Sequence, residues 1–376
     1  MVTRVYLDHN ASAPLKPAVK AAMVQALDLV GNPSSVHGFG RAVRRAVEDA
    51  RALVAALAGV RPAQVFFTGS GTEANNLALR GFPGRRVVVS AIEHESVLAI
   101  APDTPRIPVD RDGVADLDAL ERLLAAGEGP ALVSLMLANN ETGVIQPVAQ
   151  AAAIAHAHGA LLHCDAVQAA GRLPLDLSAL GADLLTISAH KIGGPAGAGA
   201  LVIAEGLEPE ALIRGGGQEK RRRAGTENVV GLVGFGAAAR LALEELPDAD
   251  RLTGLRDALE VQVRDAVPEA LVMGAAAPRV GNTSCLLLPG VPGETQVMAL
   301  DLAGVAVSAG SACSSGKVKP SHVLAAMGQG AEDLPVDWAA SAIRVSLGWD
   351  SDAAAVDRFV AAYAAMAQRR RRAPAA

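Results

Sequence analysis

Apolar segments of strand length alternate with alanine-rich, helix-like segments over roughly the first two thirds of this 376-residue chain. The strand-like runs are QVFFT, RRVVVSA, PALVSLML, GALLHCD and ADLLTISA, and segments between them, such as TEANNLALRGF, are helical in pattern. Runs that are apolar throughout are typical of strands covered on both faces, as in parallel sheets. The alternation therefore predicts an α/β fold with a mainly parallel sheet flanked by helices.

The pattern changes near residue 251. A long helical segment, LTGLRDALEVQVRDAV, precedes short strand-like runs in NTSCLLLP and SAIRVSLG, and the chain closes on a helical segment. This mixture of helical and strand-like segments predicts a smaller α+β domain. A chain of this length usually forms about two domains. We therefore predict a large domain over residues 14–250 and a small domain built from residues 1–13 and 251–376.

Composition disfavours several classes of protein. The formal net charge is -5, so the overall balance gives no sign of a nucleic-acid-binding surface. No stretch reaches the roughly 18 apolar residues of a membrane helix, and the first residues lack the apolar core of a signal peptide. Three cysteines, none in a CxxC pair, disfavour a disulfide framework and structural zinc. We expect a cytoplasmic protein without nucleic-acid or membrane partners.

Residues 65–77, VFFTGSGTEANNL, take a strand through a glycine-bearing turn into a helix whose first turn contains Thr72 and Glu73. Backbone amides and the helix dipole at such a junction favour a phosphate group. The turn matches neither GxxxxGK[ST] nor GxGxxG, however, and many such turns bind no ligand. This segment alone leaves phosphate binding undecided.

Lys191 lies in SAHKIGGPAGAGALVIA, where a predicted strand ends at Ser188 and a glycine-rich bend follows. A lysine in a loop is usually a solvated charge, and an ordinary pKa near 10.4 makes it a poor nucleophile at neutral pH. This lysine is instead wedged between a buried strand and glycines that let another group approach. Desolvation or a Schiff base would give it chemistry.

A third segment, HCDAVQAAG, ends another apolar strand with Asp165 and then Gln168. Pyridoxal phosphate needs a lysine for its aldehyde, an anion at its pyridine nitrogen, a phosphate cradle and donors at its phenolic oxygen. The three segments together provide all four. They predict a pyridoxal phosphate enzyme.

Metal binding is the alternative for this region, because five potential ligands fall within ten residues. The two histidines of HAHG are two residues apart on a helical stretch and so point to different faces. His163 and Cys164, as neighbours on a strand, point to opposite sides of the sheet. We therefore predict no metal site. The five potential ligands are His156, His158, His163, Cys164 and Asp165.

Over nearly its whole length the chain resembles a known family, the NifS/IscS-type cysteine desulfurases of the class V aminotransferase group. The resemblance implies pyridoxal phosphate fold type I, with a seven-stranded sheet in the large domain, and a homodimer with the active site at its interface. The motifs occur in the family's order and roughly its spacing. They are YLDHNAS, GNPSSVHGFGR, TGSGTEANN, EHESV, NNETGVIQP, HCDAVQAAG, SAHKIGGPAGAGAL, GGGQEKRRRAGTEN, GSACSSG and SAIRVSLG.

The resemblance also implies roles for single residues at the cofactor. Lys191 would be the Schiff-base lysine, Asp165 the partner of the pyridine nitrogen and Gln168 the contact of the ring hydroxyl. His94 would lie over the ring and take part in proton transfers, although a histidine after a strand also commonly caps a helix. Thr226 would reach the phosphate from the neighbouring subunit. The phosphate residues within the subunit would be Gly71, Thr72, Ser188 and His190.

Substrate binding is implied for three further residues. Arg344 would hold the substrate carboxylate through its planar guanidinium, with Asn140 beside it. Asn10 would lie near the substrate, and Arg223 is another candidate near the site. The substrate implied by the resemblance is L-cysteine, which Lys191 would deprotonate at its α-carbon.

Cys313, within SAGSACSSGKVKPSH, is implied as the nucleophile that takes the sulfur as a persulfide and leaves alanine. Only a few per cent of an ordinary thiol is ionised at neutral pH, so we expect help from a nearby cation, the His94 imidazolium or an arginine. The small neighbouring residues would allow this small-domain loop to move between substrate and acceptor. Cys164 and Cys285 lie in apolar runs, which predicts core positions.

The sequence departs from the family pattern in two motifs. His9, Ser12 and Ala13 replace the asparagine and two threonines of LDNNATT, and the phosphate turn reads GSGTE instead of SGATE. The sulfur acceptor, an iron–sulfur scaffold or a thiolation carrier, is not fixed by the sequence. Selenocysteine lyase, another class V aminotransferase activity and a catalytically silent sulfur-relay scaffold are the alternative functions.

Overall fold

The computed structural model describes residues 4–310, 320–329 and 338–372. These residues form twelve strands and eleven α-helices. The strands are β1 Val5–Tyr6, β2 Val65–Thr68, β3 Arg86–Ser90, β4 Arg106–Ile107, β5 Ala131–Ser134, β6 Leu161–Asp165, β7 Leu184–Ser188, β8 Gly199–Ile203, β9 Leu271–Val272, β10 Thr283–Leu287, β11 Val305–Ala306 and β12 Ala342–Ser346. The helices are α1 Pro17–Ala26, α2 Gly38–Leu57, α3 Gly71–Arg80, α4 Glu95–Leu98, α5 Leu117–Ala126, α6 Val148–Ala157, α7 Val229–Glu244, α8 Ala249–Ala266, α9 Gly293–Leu302, α10 His322–Met327 and α11 Ala353–Arg372.

Seven strands form one sheet in the order β2-β8-β7-β6-β5-β3-β4. Strands β3 to β7 pair in parallel, whereas β8 is antiparallel to both of its neighbours. Every residue of β2, β5, β7 and β8 is buried, as expected for strands covered by helices on both faces. The predicted mainly parallel, seven-stranded α/β fold is confirmed.

Helices pack closely on this sheet because their apolar residues recur on one face. Helix α2 buries Val43, Val47, Ala50 and Val54, which lie on one side at helical spacing. Where α2 meets α7, a Cβ on Gly236 would lie 2.7 Å from the Cα of Ala50. The absence of a side chain at Gly236 therefore allows the two helices to pack.

The sheet brings three strand ends to one edge. Strand β8 pairs with β2 and β7 so that Gly199 faces both Thr68 and Ser188, the last residues of those strands. Asp165, the last residue of β6, pairs with Thr186 on β7. The predicted phosphate turn, carboxylate and lysine segments therefore follow adjacent strand ends.

A second hydrophobic core is built mainly from the C-terminal part of the chain. Strand β12 pairs with β10 and β10 with β9, all antiparallel, while β1 pairs in parallel with β11. Phe359 and Tyr363 of α11 stack in this core with ring centroids 5.4 Å apart. The pairing of β1 with β11 joins the N-terminal segment to this region. The exact domain division at residues 13 and 250 stays a prediction.

Neither a membrane span nor a cluster of metal ligands occurs in the described ranges. No helix there is both long and apolar enough to cross a bilayer, and no group of three or more His, Cys, Asp or Glu side chains is arranged to hold a metal ion. His163 contacts Ser134 Oγ through Nδ1 at 2.9 Å and Thr186 Oγ1 through Nε2 at 3.0 Å. Burial lowers the pKa of His163 to about 4, which keeps this imidazole neutral.

Candidate active site

A cavity of about 320 Å³ lies at the edge of the sheet where β6 and β7 end. The start of α3 and His94 form further parts of its wall, and the N-terminal segment and β12 contribute from the second core. Most residues predicted for the site lie together in its lining. These are Asn10, Gly71, Thr72, His94, Asn140, Asp165, Gln168, Ser188, His190, Lys191 and Arg344.

Thr226 and Arg223, both predicted near the site, are not part of this lining. Thr226 is exposed at the surface before α7, and its assignment to a neighbouring subunit stays a prediction. Cys313 lies outside the described residues. The chain that leads toward Cys313 is described as far as Gly310. Two residues earlier, Ser308 exchanges backbone hydrogen bonds with Arg344: the Arg344 N–H donates at 2.7 Å and the Ser308 N–H at 3.2 Å.

Helix α3 begins at Gly71 and points its first backbone N–H groups at the cavity region. Ser70 caps the helix by accepting a hydrogen bond from the Glu73 N–H at 3.1 Å. A Cβ at Gly71 would lie 3.2 Å from Val167 Cγ2 and 3.3 Å from Ser188 Cβ. The helix start is therefore pressed against the strand ends, and its amides and dipole suit a phosphate.

His190 lies beside this helix start, and its environment keeps it uncharged. Burial lowers the pKa of His190 to about 4, and the charge of Lys191 and the proximity of His94 act in the same direction. At neutral pH the imidazole is therefore neutral and can serve as a hydrogen-bond donor through one ring nitrogen.

Lys191 ends the short 3-10 turn that follows β7. Its Nζ donates to the backbone carbonyl of Asn10 at 2.6 Å and to that of Ala11 at 2.9 Å. The N-terminal segment thus orients the amine at the cavity wall. The glycine-rich bend predicted after this lysine turns at Gly193, whose φ of 78° lies in the left-handed region.

Asp165 is buried, and both of its carboxylate oxygens accept hydrogen bonds. Oδ2 accepts from Asn75 Nδ2 at 2.7 Å and Oδ1 from the Val167 N–H at 2.9 Å. Glu93, fully buried nearby, has its pKa raised to about 8, first by burial and then by the charge of Asp165. At neutral pH Glu93 is therefore mostly protonated.

Asn10 contributes to the site mainly through its backbone. Its side-chain Nδ2 donates to the Asn140 carbonyl at 3.1 Å and to Thr283 Oγ1 at 2.9 Å, and its Oδ1 accepts from Asn282 at 3.0 Å. Its backbone carbonyl accepts from Gln168 Nε2 at 3.0 Å as well as from the lysine amine. The side chain predicted to lie near substrate is thus fully engaged in joining the N-terminal segment to β10.

Arg344 presents a buried guanidinium whose position is set by the N-terminal segment. Its Nη2 donates to Asp8 Oδ1 at 2.8 Å and its Nη1 to the Asn140 carbonyl at 3.0 Å, whereas no partner is found for its Nε among the described atoms. Ser308 Oγ donates to the other oxygen of Asp8 at 2.7 Å. Asp8 therefore orients the predicted substrate-binding arginine.

Several residues of the site were missed in the sequence analysis. Asn75 and Ser96 contact Asp165 and His94, and Asp8 contacts Arg344. Asn75 stands four residues after Gly71 on α3, and this helical spacing places both residues on the same side of the helix. Ser96 stands two residues after His94. Asp8 stands two residues before Asn10. Their closeness in sequence to predicted site residues was the signal that could have identified them.

Arg223 does not line the cavity. Its Nε donates to Glu73 Oε1 at 3.0 Å, and Glu73 Oε2 accepts from the Gly69 N–H at 2.8 Å. The arginine therefore supports the turn that precedes α3. Its contribution to the cavity is indirect.

The donors and acceptors present fit pyridoxal phosphate. An amine, a buried carboxylate and the start of a helix line one cavity, and these are the groups that the cofactor's aldehyde, pyridine nitrogen and phosphate require. The crowding that a Cβ at Gly71 would cause is consistent with an anion approaching the backbone closely at that helix start.

Comparison with known proteins gives the same result. The family model described as "Aminotransferase class-V" matches residues 5–359. A protein of Cereibacter sphaeroides named "Cysteine desulfurase" is 46% identical over 95% of this chain and 94% of its own length. "Cysteine desulfurase IscS" of Dictyoglomus turgidum is 40% identical, over 93% of this chain and 90% of its own.

Solved structures agree with the sequence relatives. The X-ray structure of a NifS-like protein from Rickettsia africae superposes with a TM-score of 0.90 at 35% identity, covering 97% of this chain and 99% of that chain. The fold is therefore shared over nearly the whole chain. The chain belongs to the class V aminotransferase family and, within it, to the NifS/IscS-type cysteine desulfurases.

Proposed function

We propose that this chain is a pyridoxal phosphate-dependent cysteine desulfurase, which takes the sulfur of L-cysteine onto Cys313 and releases L-alanine. Relatives that are 40% and 46% identical over most of the chain carry the name cysteine desulfurase. The observation that carries the proposal is the single cavity lined by Lys191, Asp165, the start of α3 and Arg344. These groups suit a cofactor and an amino-acid substrate side by side.

Three parts of the chain would hold the cofactor. Lys191 would hold the aldehyde, Asp165 the pyridine nitrogen, and the first turn of α3 with Ser188 and His190 the phosphate. Asp165 is held in place for this contact by hydrogen bonds from Asn75 Nδ2 and the Val167 N–H. Bound pyridoxal phosphate supplies an electron sink that stabilises negative charge on the substrate's α-carbon.

The protein's own groups perform the remaining steps. Arg344 binds the substrate carboxylate, and the Lys191 amine removes the α-proton. The Cys313 thiolate attacks the substrate sulfur, so that a sulfur–sulfur bond forms and the bond from that sulfur to the β-carbon breaks. Protonation of the carbon fragment completes alanine. L-cysteine and the Cys313 thiol thus become L-alanine and the Cys313 persulfide, without any other oxidant or reductant.

The two described cysteines are unsuited to this role. Cys164 lies within β6 and Cys285 within β10, and both are buried as predicted. Burial raises the pKa of both thiols, so neither forms a thiolate readily. This supports Cys313 as the acceptor of the sulfur.

Turnover of L-cysteine tests the proposed activity. The purified protein loaded with pyridoxal phosphate should release alanine and, with a reductant, sulfide. Cys313→Ala should keep the visible absorption of the bound cofactor and lose alanine formation from cysteine. Lys191→Ala should lose both the covalently held cofactor and the activity. Undiminished turnover by Cys313→Ala would refute the persulfide step.

We propose a homodimer, as the family resemblance implies. Large apolar side chains are exposed along residues 24–39, which is unusual for a surface that faces only water. The exposed position of Thr226 suits a contact made by another subunit. The exposed large apolar residues of the segment are Val24 at 55%, Leu27 at 67%, Leu29 at 37%, Val30 at 70%, Val36 at 88% and Phe39 at 69%.

We also propose that Cys313 passes its sulfur to an acceptor protein, either an iron–sulfur scaffold or a thiolation carrier. A reducing compartment keeps the Cys313 thiol free of disulfides and ready to accept sulfur, so a cytoplasmic location suits this chemistry. Transfer of ³⁵S from labelled cysteine to a scaffold protein or to a carrier, added separately, distinguishes the two acceptors.

A further inference from the structure

A continuous series of hydrogen bonds joins Asp165 to His94 along the cavity wall. Asn75 Nδ2 lies 2.7 Å from Asp165 Oδ2 and 2.9 Å from Ser96 Oγ. Ser96 Oγ lies 2.7 Å from His94 Nδ1, and the backbone nitrogen of Ser96 lies 3.1 Å from that same ring nitrogen. Two side chains, Asn75 and Ser96, therefore connect the predicted pyridine carboxylate to the predicted ring-face histidine.

The direction of each hydrogen bond in this series follows from donor and acceptor chemistry. An ionised carboxylate only accepts, so the amide nitrogen of Asn75 must face Asp165. The same nitrogen donates its second hydrogen to Ser96 Oγ. The Ser96 hydroxyl then has its own hydrogen available, and the acceptor in reach is His94 Nδ1.

The backbone of Ser96 determines where His94 carries its proton. A backbone N–H can only donate, so the Nδ1 atom that receives it must be unprotonated. A proton on Nδ1 would set two N–H groups against each other at 3.1 Å and would also oppose the Ser96 hydroxyl. The neutral ring therefore carries its proton on Nε2, and the doubly protonated ring does not fit.

We infer that Asn75 and Ser96 are positioning residues that fix His94 as a neutral imidazole protonated at Nε2, so that His94 acts through Nε2 as a hydrogen-bond donor in the cavity. The catalytic part of this inference rests on the proposed function; the protonation state does not. Lys191 is then the base that removes the α-proton. The predicted His94 imidazolium beside Cys313 does not match this geometry, which leaves an arginine as the predicted cation.

Helix capping alone would explain one of the contacts to His94. His94 is the N-cap of α4, and acceptance of the Ser96 N–H by a side chain is ordinary helix capping. Capping alone requires neither the Ser96 hydroxyl nor Asn75. Those two groups therefore distinguish a positioning role from a cap.

Solid-state NMR of protein containing ¹³C,¹⁵N-labelled histidine reads the protonation of each ring nitrogen directly. We expect a pyridine-type signal for His94 Nδ1 and a pyrrole-type signal for Nε2 at neutral pH, with cofactor bound. The His94 signals are assigned by their loss in His94→Gln. A pyrrole-type Nδ1 in the wild-type protein would overturn the inference.

Variants of Ser96 test the positioning role by the same measurement. Ser96→Ala removes one of two donors to Nδ1, so its pyridine-type signal should move to higher shift, toward that of a nitrogen without hydrogen bonds. Ser96→Thr retains the hydroxyl and should restore the wild-type position. Asn76→Ala changes the neighbour whose amide donates within its own helix to the Thr72 carbonyl, and it should leave the signal in place. An unmoved signal in Ser96→Ala would contradict a role for the hydroxyl.

Kinetics separate this inference from the proposed function. Ser96→Ala should lower kcat for alanine formation about tenfold, roughly the effect of weakening one hydrogen bond to the reacting groups, with KM for L-cysteine within about twofold. A lowered kcat that Ser96→Thr does not rescue would reject the hydroxyl's part. If the protein makes no alanine while the NMR signals are as expected, the proposed function fails and the assignment of His94 stands.

Discussion

Glu93 is a buried carboxyl group that the reaction does not titrate, and it makes stability depend on pH. Its pKa is raised from an ordinary 4.5 to about 8, by burial first. Below pH 4.5 folded and unfolded chains both hold this proton. At higher pH the unfolded chain releases it while the folded chain keeps it, so stability falls as pH rises from about 4.5 to about 8.

Glu93→Gln should flatten this part of the pH dependence. Between pH 5 and pH 8 the wild-type protein should lose on the order of a few kcal/mol more stability than the variant. Urea unfolding at the two pH values measures the difference. Glu121→Gln removes an acid on the exposed face of α5 and should leave the wild-type dependence unchanged. Parallel pH curves for Glu93→Gln and wild type would contradict a neutral, buried Glu93.

At Gly71 the proposed phosphate site depends on a close approach of the phosphate to the backbone of α3. An added Cβ would press on Val167 and Ser188 at 3.2 and 3.3 Å, so one of them has to move by a few tenths of an ångström. We expect Gly71→Ala to weaken pyridoxal phosphate binding about tenfold or more, which is roughly the effect of one lost charge-assisted hydrogen bond. Titration of the apo-protein with the cofactor, followed by visible absorption, measures this.

A second glycine serves as the control. Gly254 lies inside α8 with nothing within 4 Å of an added Cβ. Gly254→Ala should leave cofactor affinity unchanged and raise stability by about 0.5 to 1 kcal/mol. Equal cofactor affinities for Gly71→Ala and Gly254→Ala would show that the start of α3 does not bind the phosphate closely.

The residues recognised from sequence share one property: each stands at the end of a strand or in a motif whose chemistry is local. Asp165 and Ser188 end apolar runs, and Lys191 stands three residues after the second of them. The partners of these residues were not predictable in the same way. Asn75 meets Asp165 from 90 positions away and Asp8 meets Arg344 from 336, contacts that depend on how helix, sheet and N-terminal segment approach each other.

At the scale of elements, one ion pair joins α2, β2 and the loop before α7. Arg51 makes two hydrogen bonds to the Glu219 carboxylate at 2.7 and 2.8 Å, and Glu219 Oε2 also accepts from the Phe67 N–H at 2.9 Å. Glu219 and the next two residues, Lys220 and Arg221, have positive φ angles of 44°, 53° and 68°. The buried pair holds a strained turn in place.

Loss of this ion pair should strongly destabilise the folded protein. Glu219→Gln leaves the buried guanidinium of Arg51 with the half-exposed carboxylate of Glu48, 3.2 Å from its Nε, as the remaining counter-charge among the described residues, and we expect a loss of about 3 kcal/mol in stability. Glu244→Gln, in the exposed Arg240–Glu244 pair of α7, should lose less than about 0.5 kcal/mol. Chemical denaturation of the two variants measures both. Similar losses would contradict the role assigned to the buried pair.

Strand pairing was only partly predictable. The apolar runs identified strands because each is buried on both faces. The antiparallel direction of β8 was not evident, although it has a simple cause: the ten residues between β7 and β8 are too few for the usual crossover helix of a parallel pair. The pairing of β1 with β11 was not predictable either, because two-residue strands carry almost no periodic signal.

At the scale of the whole molecule, the alternation of strands and helices was enough to predict the fold class. The assembly of subunits depends instead on the shape and polarity of the surface.

We expect the double variant Val36→Asp, Phe39→Asp to shift a dimer toward monomer, because it places charge among the exposed apolar residues of 24–39. It should lose most alanine formation, because Thr226 of one subunit is proposed to complete the site of the other.

Light scattering during gel filtration measures this assembly. Leu302→Asp changes an equally exposed leucine, 88% accessible at the end of α9 and remote from that segment in sequence, and should leave the dimer intact. A wild-type monomer with full activity would refute the homodimer. A dimer unaffected by the double variant would place the interface elsewhere.

In the proposed reaction the sulfur of L-cysteine is transferred to Cys313, and this transfer depends on Lys191 and Asp165 in the cavity. Peptide mass spectrometry after one equivalent of cysteine, with thiols and persulfides alkylated, tests it most directly. We expect one added sulfur atom on the peptide that contains Cys313, an equal amount of alanine, and neither in Lys191→Ala. Alanine formed without that added sulfur, or sulfur found on Cys164 or Cys285 instead, would contradict the account.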